Sequence, residues 1–188
     1  MRVVLFGLIL FSCLVPTLSA QEQPSIFPGR RIGPMALRSP ASAVTTRWGA
    51  ARQRPAKQGN DYRWWEYPER EAWMLVYRGR VIRAGVEGGE YITPEGFGVG
   101  TKARHIVQDY GGGSKRRAVP WHEKKDQERR DDLEFEPHRP PERYFLDYPN
   151  RGVSFLVDTA LDRVLAIHIF VPGTDPAGPG AKPKQSQD

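Results

Sequence analysis

Four histidines are the side chains of this chain best suited to moving protons or holding a metal: His105, His122, His138 and His168. A zinc-binding helix places two histidines four residues apart, with a glutamate following the first. "WHEKK" supplies His122 and Glu123 but no second histidine. "YGGGSK" at 110–115 is rich in glycine but lacks the Gly-Lys-Ser/Thr order of a phosphate loop; a helix stop followed by a flexible run explains it. "GFGVG" at 96–100 precedes a helical pattern, yet no strand–loop–helix unit with a parallel partner surrounds it. Ser114 and Ser154 lack the Gly-x-Ser-x-Gly context of a nucleophile elbow. The carboxylates sit mostly beside lysine or arginine, which suits a solvated surface. No catalytic residue, metal site or cofactor is therefore expected, and the chain is read as a non-enzyme.

Recognition is the chemistry left to the aromatic residues, because Trp, Tyr and Arg dominate binding hot spots. In "AWMLVY", 72–77, Ala72, Met74 and Val76 alternate with Trp73, Leu75 and Tyr77. In "VSFLVD", 153–158, Val153, Phe155 and Val157 are the matching apolar set. That set is expected to face a helix, with Met74 and Phe155 buried equivalently against Val44 and Ile106. The other face then carries Trp73, Leu75 and Tyr77 in one segment and Ser154, Leu156 and Asp158 in the other. Arg83 falls on this face, and Trp64 or Trp65 joins it from the preceding strand. The expected binding set is Trp73, Tyr77, Leu75, Arg83 and Trp65. Either this aromatic face is open, or the sheets and a long linker cover it within the chain.

The elements that would position these residues occur twice. "SPASAVTTRWG", 39–49, and "GTKARHIVQDYG", 100–111, both read as helices, with Ser39 or Thr101 as N-cap and Gly49 or Gly111 as the stop. "WWEYPEREAWMLVY" and "YFLDYPNRGVSFLVD" then share an aromatic run, a Tyr-Pro-x-Arg turn and an alternating strand. "RVIRAGV", 80–86, and "RVLAIHI", 163–169, supply a third strand each. The expected fold is α+β: two tandem repeats, 26–88 and 90–171, each a helix packed on a roughly three-stranded antiparallel sheet. A long charged linker, 112–142, interrupts the second, and the Pro/Gly-rich tail, 172–188, is expected to be disordered.

Arg2, the apolar run "VVLFGLILFSCLV" and the small residues Ser19 and Ala20 read as a secretory signal peptide over 1–20. The run is too short for a stable membrane span, which takes about 20 apolar residues. "LFSC" also resembles part of a lipoprotein box, in which Cys13 would carry acyl chains. Cys13 is the only cysteine, so after cleavage the chain has no thiolate and no disulfide. The net charge of +6 is spread through mixed-sign runs such as "HEKKDQERRDDLEFEPHR", and nucleic acid is not an expected partner.

Two units, each a capped helix ending in aromatic-Gly followed by a three-stranded meander, resemble the SmpA/OmlA family of outer-membrane assembly lipoproteins. In tandem they are similar to the β-lactamase inhibitor proteins of exported bacterial origin. "SPASAVTTRWG", "GTKARHIVQDYG" and the hairpin phrases after them carry this likeness. The resemblance implies binding of a protein on the open sheet face. The expected role is thus an exported, non-enzymatic binding protein, periplasmic or extracellular, engaging a protein or cell-envelope component. The alternative is a structural or assembly component of the envelope, with or without a lipid anchor on Cys13.

Overall fold

The computed structural model describes residues 25–56, 59–111, 115–118 and 143–176. The expected signal peptide, most of the charged linker and the tail beyond 176 lie outside these residues. Three two-residue strands come first: β1 (Ile26–Phe27), β2 (Arg31–Ile32) and β3 (Met35–Ala36). Helix α1 (Ser42–Trp48) follows, then β4 (Arg52–Pro55), β5 (Tyr62–Tyr67), β6 (Ala72–Tyr77) and β7 (Arg80–Val86). Helix α2 (Ala103–Tyr110) leads into β8 (Lys115–Ala118), β9 (Arg143–Tyr148), β10 (Val153–Asp158) and β11 (Arg163–Phe170).

The architecture corrects the expected α+β repeats. The described chain is mostly β: one eight-stranded antiparallel sheet ordered β4-β5-β6-β7-β11-β10-β9-β8, plus the small β1-β2-β3 sheet. The helices are only 7 and 8 residues long. Two separate three-stranded sheets would leave the main-chain groups of β7 and β11 unpaired, and such groups demand partners. They find each other: Arg83, Ala84, Gly85 and Val86 pair with Phe170, Ile169, His168 and Ile167. β4 and β8 extend the outer edges from segments expected to be linkers. The first three strands were not expected at all.

Local chemistry sets the hairpins. Arg78 and Gly79, both at positive φ, close β6 onto β7, as a tight two-residue hairpin requires. Asp158 closes β10 onto β11 by accepting from the N–H groups of Ala160 and Leu161. The register slips once in each pair, after Leu75 and after Leu156, so the two meanders bend at matching positions.

The expected hydroxyl caps are also corrected. Ala41 and Lys102 precede the helices, and neither makes a side-chain cap. Ser39 Oγ donates to the Ala36 carbonyl instead, and Thr101 Oγ1 accepts from Gly98. Hairpin carbonyls take over part of the capping work: Ala41 N–H donates to Gly79 and Ala103 N–H to Asp162. Val81 and Val164 bond back to Ser39 and Thr101 in the same way. Each helix start is thereby tied to the hairpin beneath it.

One core cluster joins both halves, holding Val44, Met74, Val86, Ile106, Phe155 and Ile167 among others. The Tyr-Pro-x-Arg turns anchor the helix ends to it. Tyr67 lies edge-on to Trp48 and Tyr148 edge-on to Tyr110, each at 5.1 Å. Arg70 then covers the Trp48 ring at 5.0 Å and Arg151 the Tyr110 ring at 4.1 Å. Among the described residues, no helix is long and apolar enough to cross a membrane.

Candidate binding face

Residues directly opposite in an antiparallel pair point to the same face. One such row crosses six strands on the side away from the core: Glu66, Trp73, Gly85, His168, Ser154 and Asp147. Trp64, Leu75 and Arg83 form the neighbouring row on that face. The strands thus carry aromatic and polar groups together, on a face where burial against a helix is not required.

Gly85 shapes the centre. The Trp73 indole lies across it, and a Cβ there would fall 2.4 Å from a ring carbon. Trp73 stacks on Trp64 at 4.3 Å and meets the His168 edge at 4.8 Å; Phe145 lies 5.3 Å from His168 on the far side. Tyr62 and Tyr77 pair at 4.6 Å nearer the sheet end. Six rings therefore run in a stripe over one face.

Polar groups flank the stripe. Trp64 Nε1 donates to Glu66 Oε1 at 2.9 Å, and Glu66 also pairs with Arg54. Ser154 Oγ donates to Asp147 Oδ1, and both residues are only 2% exposed. Burial of a hydroxyl and a carboxylate costs free energy unless they satisfy one another, as here.

The expected binding residues divide. Trp73 and Leu75 are on the face but form its floor, with Trp73 only 6% exposed; the aromatic surface is not open there. Tyr77 is half-buried at the rim. Arg83 is drawn to the Asp175 carbonyl at 3.3 Å and over the Phe170 ring. Trp65 points to the opposite side: it pairs with Met74 and packs on the core, so Trp64 is the ring that joins Trp73. Phe145 and His168 were missed. Their place depends on the β7–β11 junction, which no local sequence signal marks.

A second polar locus lies at the loop before α2. An open cleft of about 530 Å³ is lined by Glu95, Phe97, Thr101, Lys102, His105 and Asp109. Tyr110 donates to Glu95 at 2.9 Å, with Arg151 3.9 Å from the carboxylate. Burial, the Glu95 hydrogen bond and its charge push the Tyr110 hydroxyl well above its ordinary range. Burial works against ionisation of Glu95, but hydrogen bonds from its backbone, Thr93 and Tyr110, with the Arg151 charge, hold it below the usual value. Among the described residues no three His, Cys, Asp or Glu side chains gather as metal ligands. His122 and His138 lie outside the described residues.

No family model and no curated protein matches the chain. Three solved structures are similar in outline. An extracellular protein containing an SCP domain from Bacillus anthracis aligns at 13% identity and TM-score 0.48, over 76% of this chain and 50% of its own. A cysteine-rich secretory protein from Staphylococcus aureus aligns at 12% and 0.46, over 77% and 47%. The chain thus spans about half the length of these two. The uncharacterized protein yfeY from Escherichia coli aligns at 12% and 0.48, over 79% of this chain and 99% of its own. At these scores the likeness is one of outline and bears on no function.

Proposed function

We propose that this chain is an exported, non-enzymatic binding protein that uses its ring-lined sheet face to engage a protein or cell-envelope component. The observation that carries this reading is the stripe Tyr62–Tyr77, Trp64–Trp73, His168 and Phe145 on the face away from the core. Rings of this kind supply large contact area at low entropic cost, and the half-buried Glu66 beside Trp64 gives direction to a ligand. With Trp73 as floor, the contact falls to Trp64, Tyr77, Phe145 and His168, all half-buried.

The test is retention of envelope-extract components on the immobilised protein, compared with Trp64→Ala and Tyr77→Ala variants. Loss of one defined component from both variants supports the face; retention unchanged in both overturns it. The export reading rests on residues 1–20. Mass spectrometry of the processed protein should find an N-terminus near Gln21. An acylated Cys13 would replace the soluble form with a membrane-anchored envelope component.

A further inference from the structure

We infer that an arginine-rich surface, formed where the chain enters β2 and leaves β3 beside the β6–β7 turn, docks on a membrane surface bearing anionic phosphate headgroups. Residues 23–60 contain seven Lys and Arg and no Asp or Glu. Sequence distance hides how the fold concentrates part of this charge. Leu37 N–H donates to the Arg30 carbonyl, Arg38 N–H to Val81, and the Arg80 guanidinium reaches the Arg38 carbonyl at 2.9 Å. Arg30, Arg31, Arg38 and Arg80 are all exposed.

None of these four forms an ion pair among the described residues; the ion pair nearest in sequence is Arg78 with Asp61. Two of them are held by neutral groups instead. Arg80 rests on a backbone carbonyl, and Arg31 lies 4.5 Å over the Phe27 ring with one bond to the Gly33 carbonyl. A guanidinium has five N–H donors, so most remain for a ligand. Their planar fork suits phosphate oxygens in pairs. The arginines are spread over an exposed end rather than gathered in a cavity, which fits an array of headgroups better than one small anion. This surface uses none of the residues assigned to the ring-lined face.

The opposite end provides a matched control. β7 begins at Arg80 and β11 at Arg163, and the two strands are antiparallel, so their starts lie at opposite ends of the sheet. There Arg163 bonds to the Gly100 carbonyl and pairs with Lys102, as Arg80 does with Arg38 and Pro40. The experiment expresses the full chain, purifies the processed protein, and floats it with phosphatidylcholine vesicles with or without phosphatidylglycerol. Binding is expected only with the anionic lipid. Arg38→Gln with Arg80→Gln should weaken it at least about tenfold, since each basic residue near such a surface contributes of the order of 1 kcal/mol. Lys102→Gln with Arg163→Gln should change it by less than about twofold. Because Arg80 also ties Arg38 in place, Arg30→Gln with Arg31→Gln serves as a second variant, and circular dichroism checks folding. Equal losses at the two ends, or no preference for anionic lipid, would overturn the docking surface. Full displacement by inorganic pyrophosphate at low concentration would overturn the membrane assignment in favour of a soluble phosphate ligand.

Discussion

Trp73 reaches His168 only because Gly85, between them in the row, has no side chain. Gly85→Ala places a methyl group against the indole, so the ring must leave its stack on Trp64. Overpacking of this kind costs roughly 1–3 kcal/mol. Denaturant unfolding should show that loss, with a shift in tryptophan fluorescence; an unchanged midpoint would mean that the ring moves freely. A second residue-scale prediction concerns pH. The Tyr110 hydroxyl is raised in the folded state, so its contribution to stability is present below pH 10, its ordinary value, and is lost as pH rises above that. Tyr67 and Tyr91, also raised by burial, add to the same loss. Glu95 is lowered, so its contribution is present above its ordinary value of 4.5 and fades as pH falls through its folded value. Tyr110→Phe should flatten the alkaline decline and weaken the acid one. Denaturant midpoints from pH 3 to 11 check both limbs.

Among the elements, the Tyr-Pro-x-Arg turns explain why that phrase is written twice: each locks a helix end to a strand pair by an edge-on tyrosine and a covering arginine. Arg70→Gln should cost only about 0.5–1 kcal/mol, the range of an exposed cation–π contact. Phe155→Ala, at a fully buried site ringed by Phe97, Tyr110 and Tyr148, should cost roughly 3–5 kcal/mol in the same unfolding assay. A Phe155 loss no larger than the Arg70 loss would mean the sheet faces are inverted. The two faces of β6 and β10 were legible because alternation is a local pattern: Met74 and Phe155 are indeed buried. The junction of β7 with β11 was not, since pairing between distant strands leaves no periodicity to read. Strands of two residues, such as β1, β2 and β3, are too short to show a period. Ser39 and Thr101 carried sound capping chemistry, but tertiary carbonyls from the hairpins displaced it. Choosing Trp64 over Trp65 needed the register, which only the folded sheet supplies.

At the scale of the whole molecule, an eight-stranded sheet that spans both halves and one core cluster that joins them imply that the described residues form one cooperative unit. Met74→Ala and Phe155→Ala, in different halves, should each shift a single unfolding transition that fluorescence and circular dichroism report alike. Two separable transitions would show that the β7–β11 junction does not couple the halves. Among the described residues the same sheet ends at β4, with the sequence "RQRP", and at β8. An open edge is a template on which another copy of the chain can add itself strand by strand. At β4 every such copy would meet the exposed Arg52 and Arg54, and Pro55 offers no N–H to continue the ladder. Protection against fibrous self-assembly is therefore colloidal, resting on long-range repulsion more than on shape. It should weaken as salt shortens the screening length to about 3 Å at 1 M, and light scattering at rising ionic strength would register the first chains to stack.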